Sequence, residues 1–180
     1  MATDGAPRAS HLHRQILLAA LRALLSIAVV VTVYYYLPLD RTATWAAIAV
    51  LIAGLAVFAA LIAYHVRAIA RSPLPGVRAV EALAVSIPLF IVLFASTYFV
   101  MNRLNAASFG VPLNRTDALY FTVTVFSTVG FGDISAKTQA ARLVVTGQMI
   151  TDLVFVGVGI RLIVGAVGRG QRRRDPSADR

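Results

Sequence analysis

Four long apolar stretches separated by short polar breaks organise this chain: 15–37, 43–64, 79–101 and 138–167. Each is long enough for a helix to cross a hydrocarbon layer, which takes about 20 residues. The first is longer than the apolar core of a cleaved leader, so it reads as a retained span. A fifth apolar segment, 114–127, is too short to cross and reads as re-entrant. Asn114, with Asp117 three residues on, predicts the N-terminal cap of that short helix, and a carboxylate there suits the positive end of the helix dipole.

The breaks carry the turn chemistry. A tight loop, 38–42, joins the first two stretches and is too short to hold an element of its own. The 65–78 break combines Arg67, Arg71 and Arg78 with the turn formers Ser72, Pro73, Pro75 and Gly76. Pro88 lies inside the third stretch, where neighbouring helices can accommodate a kink. A loop over 102–113 leads into the short helix, and a basic tail, 168–180, is expected to be disordered.

Composition supports this organisation. With 58% hydrophobic and only 14% charged residues, a soluble domain of 180 residues could not hide its apolar surface. The net charge of +9 does not indicate nucleic acid, because the basic residues gather at the edges of the apolar runs. The 1–14 segment (Arg8, His11, His13, Arg14), the 65–78 linker and the tail (Arg169, Arg172, Arg173, Arg174) hold most of them. On the other side Arg41, Arg103, Arg115, Lys137 and Arg142 are dispersed and partly matched by Asp40, Asp117 and Asp133. This asymmetry places both termini in the cytoplasm of a bacterial-type cell, with the chain in the inner membrane and 102–137 outside. The basic tail suits anionic lipid. Arg22 and Arg161 lie near the ends of spans, where they can snorkel. None of the first three spans repeats arginine at every third position, so no voltage sensor is expected. The histidines at 11 and 13 read as solvated residues of a polar tail. The absence of cysteine removes disulfides and thiolate metal sites.

The motif that carries function is Thr128, Val129, Gly130, Phe131, Gly132, Asp133. Glycine at alternate positions tolerates the positive φ needed to turn successive carbonyls to one side. A phosphate-binding loop would follow a strand in a soluble α/β unit, whereas this run follows an apolar helix between two spans. The run resembles the T-V-G-Y/F-G-D filter of the potassium-channel superfamily, and the resemblance extends over about half the chain, 79–167. It implies an all-α membrane protein with four transmembrane helices per subunit. A re-entrant pore helix (114–127) and a filter (128–133) would lie between the outer helix (79–101) and the inner helix (138–167), with 15–64 forming two peripheral spans. It implies a homotetramer, no enzymatic activity, no cofactor, and potassium as the permeant ion. By the same resemblance the ion is held at Thr128, Val129, Gly130 and Phe131, with Gly132 completing the strand.

The resemblance also assigns support residues. Asp133 stands behind the outer mouth, Tyr120 and Phe121 take the place of an aromatic cuff, and Ser127 forms the joint between helix and filter. Phe131 replaces the commoner tyrosine of the family, and Thr124 stands where some members carry a glutamate that pairs with the filter aspartate. Asp133 therefore needs another partner, and the Tyr120 hydroxyl is the candidate. Asp152 occupies the level at which the family commonly has a hinge glycine, flanked here by Gly147, Gly157 and Gly159. An ionisable residue in mid-span marks a functional site by default. Gln148, Thr151 and Asp152 share one helical face. That stripe is assigned to a water-filled cavity in preference to a hydrogen-bonded network behind the filter. A weakly selective cation channel of the same architecture, or a membrane protein with a vestigial filter, are the alternatives. The intact 129–132 run argues against the first, and current recording separates both.

Overall fold

The computed structural model describes residues 21, 24–36, 44–71 and 75–174. The expectations for 1–14 and for the 38–42 loop lie outside them. All regular structure among the described residues is helical. The helices are α1 (Leu24–Tyr36), α2 (Thr44–Ala70), α3 (Pro75–Leu104), α4 (Arg115–Phe126) and α5 (Gln139–Arg174), with a 3-10 turn at Ala106–Ser108. Three of them, α2, α3 and α5, are long and apolar enough to cross a membrane; the described part of α1 is shorter.

Two boundaries differ from the sequence reading, both for local reasons. The break expected over 65–78 shrinks, because His65 and Arg67 continue α2 to Ala70 and nothing before Ser72 interrupts a helix. Pro75 then opens α3, at the one helical position where a missing amide hydrogen costs nothing. The expected disorder is corrected over 168–174, which α5 continues as helix to Arg174. The side chains of Arg169, Arg172, Arg173 and Arg174 are outside what the structure describes.

α3 is the centre of the packing. It contacts α2, α4 and α5, and its aromatic residues form the spine of the fold. Phe90, Phe94 and Tyr98 stand one turn apart on one face of α3, with ring centroids 4.7 Å and 6.0 Å apart in sequence order. Phe58 of α2, Phe126 of α4 and Phe155 of α5 converge on Phe90 at 5.8, 6.1 and 5.1 Å. At the other end Tyr98, Phe109 and Phe121 meet edge to face at 5.2 to 5.4 Å. Such tilted contacts are the favoured aromatic geometry. In a membrane the lipid is as apolar as these rings, so packing contacts rather than water exclusion hold the helices together.

Pro88 lies within α3 without ending it. The loop after α3 is fixed by Asn102, whose side chain accepts from the Leu113 amide (2.8 Å) and donates to the Val111 carbonyl (3.1 Å). The Lys137 amide, beyond the 128–133 segment, donates to the Ser108 carbonyl at 2.8 Å, closing the whole outer region into one unit.

Phe90 is 1% exposed and touches a ring from each of three other helices, so Phe90→Ala is expected to cost about 3 kcal/mol. Reversible unfolding in mixed micelles measures this; a loss below 1 kcal/mol would mean the spine does not hold the helices together.

Candidate functional site

α4 is built for a fixed position. Asn114 caps it in a reciprocal box: its Oδ1 accepts from the Asp117 amide (2.9 Å), and Asp117 accepts from the Asn114 amide (3.1 Å). This is the cap the sequence implied. At the other end the chain leaves the helix but its amides do not leave the helix carbonyls. Thr128 N–H donates to Val125 O (3.0 Å), and the Val129 and Gly130 amides both donate to Thr124 O (3.0 and 3.3 Å).

Those three bonds set the direction of the carbonyls. A trans peptide points its N–H and the preceding C=O to opposite sides, and no peptide here is cis. With the amides of 128, 129 and 130 turned to α4, the carbonyls of Ser127, Thr128 and Val129 face away from it. The φ angles show how the backbone manages this: Thr128, Gly130 and Gly132 are positive at 58, 56 and 80°, and Val129 and Phe131 between them are not. Alternation of this kind gathers amide groups on one side of the chain. Glycine meets the requirement at 130 and 132. Thr128 meets it against the preference of a β-branched residue, a strain of about 1–3 kcal/mol that the three amide bonds hold in place.

The support residues divide. Tyr120 faces the segment: its ring stacks on Phe131 at 6.4 Å and 5°, with the Asp133 carboxylate close to its hydroxyl. Partial desolvation, then the neighbouring Asp133 carboxylate, raise the Tyr120 pKa above its ordinary value. Phe121 instead points away from the segment into the α3 core, so the two aromatics do not act as a pair. Thr124 is buried and its hydroxyl donates to Phe121 O (2.8 Å), while the Ser127 hydroxyl donates to Thr124 O (3.4 Å). Neither reaches Asp133.

The cavity assignment of the α5 stripe is overturned. Ala141, Val145, Gln148 and Asp152 form one buried row at helical spacing, packed against α3 and α4 rather than turned to an open face. Gln148, fully buried, accepts from the Tyr98 hydroxyl (2.6 Å) and donates to Thr122 O (3.1 Å) and to Asp152 Oδ2 (3.4 Å). One amide side chain therefore ties α3, α4 and α5 together. Asp152 Oδ1 is buried without a protein partner. Thr151 lies beside the row, half-buried, with its hydroxyl on Gly147 O (2.9 Å). Gly147, Gly157 and Gly159 stand on α5 with open space at their Cβ positions, so no contact within the chain requires them. Tyr98 and Thr122 were missed by the sequence reading, because they stand on other helices and the face of α5 turned to lipid is as apolar as the packed one.

Residues 86–169, which include α4, the 128–133 segment and most of α5, match the family described as "Ion channel". Among curated relatives, the potassium channel protein kcv of Paramecium bursaria Chlorella virus 1 is 36% identical over 79 residues, a match spanning 38% of this chain and 84% of the viral protein. The chain belongs to the potassium-channel pore-domain family. No solved structure matches it. It is thus a membrane channel rather than an enzyme, and the geometry of 128–133 is to be read in that light.

Gln148→Leu orphans the Tyr98 hydroxyl and one Asp152 oxygen in the channel interior. The expected loss is about 2 kcal/mol in detergent unfolding; a neutral result would show the network to be dispensable. At the segment itself, removing the neighbouring charge should lower the raised Tyr120 pKa. Spectrophotometric titration of Asp133→Asn should move one phenol toward lower pH, and Tyr120→Phe should abolish that movement.

Proposed function

We propose that four copies of this chain assemble around a common axis and conduct potassium selectively through the carbonyls of Thr128, Val129, Gly130 and Phe131, with Gly132 completing the strand. The observation that carries the reading is the pair of facts just described: amides of 128–130 bonded back to α4, and the carbonyls of Thr128 and Val129 directed to the open side. A row of oxygens so placed can replace the hydration shell of a cation, but one chain supplies only one side of it. Val129 and Phe131, 54% and 70% exposed in a single chain, are large apolar side chains that neighbouring copies would cover.

In this reading α4 is re-entrant, α3 is the outer helix and α5 the inner one. The first apolar stretch makes a fourth span, and both termini lie in the cytoplasm of a bacterial-type cell. Arg169, Arg172, Arg173 and Arg174 then meet the anionic lipid of the inner leaflet. Asp133, beside Tyr120, holds the outer end of the segment. The buried Gln148 network holds its back. The α5 glycines are free to let the inner helix bend or a second copy approach. No cofactor is needed, because the ion moves down its own gradient.

The experiment is planar-bilayer recording of the purified chain with potassium on one side and sodium on the other. A reversal potential near the potassium equilibrium value is expected, and a potential near zero would overturn selectivity. Gly130→Ala places a Cβ at φ 56°, a strain of about 1–2 kcal/mol at each copy, and should abolish conduction or selectivity while insertion persists. Native mass spectrometry of the same sample should give four copies; a conducting monomer or dimer would refute the assembly.

A further inference from the structure

The peripheral helix α1 touches the rest of the molecule in an unusual way. Among its described residues only Tyr34 is buried, at 0% exposure, while the rest of its surface is exposed or half-exposed. Ser26, Val30 and Val31 are half-buried on the same side as Tyr34, and the specific bonds of the helix lie near its C-terminal end, at the first turn of α4.

The attachment is reciprocal. The Tyr34 hydroxyl donates to Arg115 O (2.7 Å), and the Arg115 guanidinium donates to Tyr34 O. One residue along on each side, the hydroxyls of Tyr35 and Thr116 are 3.1 Å apart and hydrogen-bonded. The guanidinium also lies over the rings of Tyr34 and Phe99, with its carbon 5.8 and 5.1 Å from their centroids. Three helices, α1, α3 and α4, therefore meet on one arginine.

Two features of the sequence explain the choice of partners. The carbonyl of Tyr34 lacks the regular α-helical donor, because the residue four places on is Pro38, which has no amide hydrogen. A cation is the favoured partner for such a C-terminal carbonyl. Arginine at the first position of α4, by contrast, opposes the positive end of that helix's dipole, so α4 gains nothing from it locally. Its contacts with α1 and α3 are what the position offers.

α4 is a lever between this attachment and the 128–133 segment. Its 12 residues make a rod of about 18 Å. A tilt of about 3° at the first turn displaces the far end by about 1 Å. The far end is bonded directly to the amides of Thr128, Val129 and Gly130, including the strained Thr128. The geometry points to Tyr34 and Tyr35 as positioning residues: α1 is an anchor that sets the tilt of α4 and so holds the carbonyl row of 128–131 in its conducting arrangement. This rests on the conduction reading above. Ion binding to the row favours the same arrangement, so high potassium offsets a weakened anchor.

The test uses the full chain in lipid nanodiscs and in bilayers. The variants are Tyr34→Phe/Tyr35→Phe, which keeps both rings and removes both hydroxyls, and Thr116→Val with Thr116→Ser as its conservative rescue. Hydrogen exchange is read at the amides of 128–130 and, as reference, at 95–100 in α3. The double variant should exchange about five- to tenfold faster at 128–130 with the reference unchanged, Thr116→Val should follow in part, and Thr116→Ser should match the parent. Currents through the double variant should decay several-fold faster during sustained opening and recover parental decay in high potassium, with the reversal potential unmoved. Equal acceleration at 95–100 would mean general loosening, and no change at 128–130 would mean no leverage; either overturns the anchor. Should the double variant not assemble, the Thr116 pair decides the same question. A parent chain without potassium-selective current overturns the conduction reading instead, and exchange at 128–130 still decides the anchor.

Discussion

A backbone that turns successive carbonyls to one open face must still satisfy its amides, and only other groups of the protein can do so where water is excluded. That constraint governs the centre of this protein. The amides of 128–130 are met by the last-turn carbonyls of α4, which are themselves groups that a helix end leaves without partners. Two sets of unpaired backbone groups thus satisfy each other, and the carbonyls of the segment are left to the open face. The alternating sign of φ from Thr128 to Gly132 is the conformational consequence.

Everything around the segment serves to keep α4 in place. Its first turn is closed by Asn114 and Asp117 and bound to α1 through Arg115; its middle is bound to α5 through Thr122 O and Gln148; its end packs Phe126 on Phe90 and Phe155. A short helix has few contacts of its own, so it is held by specific bonds rather than by area. α3 is the frame to which these bonds refer, and its aromatic spine explains why one helix can organise three others.

The buried polar row of α5 shows the cost of that arrangement. Gln148 is fully satisfied, with an acceptor and a donor role on three partners, but Asp152 keeps one oxygen with no protein partner. A half-paired carboxyl in a low-dielectric interior is costly, and replacing such a group with an apolar one is often neutral. Its position, buried where α5 packs on α3 and α4 and not on an open face, makes it part of the scaffold of the site.

How much of this was legible from residues alone follows from the range of the forces involved. Local rules act within a turn or two, so the apolar lengths of α2, α3 and α5, the cap at Asn114 and Asp117, the glycines at 130 and 132, and the Tyr120 to Asp133 contact could be read directly. Helix ends were misplaced where mere polarity, as at His65 and Arg67, was taken for a break, and the start of α3 was set at 79 although Pro75 opens it. Which face of α5 packs inward was decided only by the docking of α3 and α4, because Gln148 and Asp152 suit a wet cavity and a bonded network equally well until their neighbours are known. The same holds for Phe121, drawn from the segment into the core by Tyr98 and Phe109, and for Tyr34 and Arg115, 81 residues apart in the chain. No local periodicity links residues that distant; only the folded chain brings an orphaned carbonyl and a misplaced cation together.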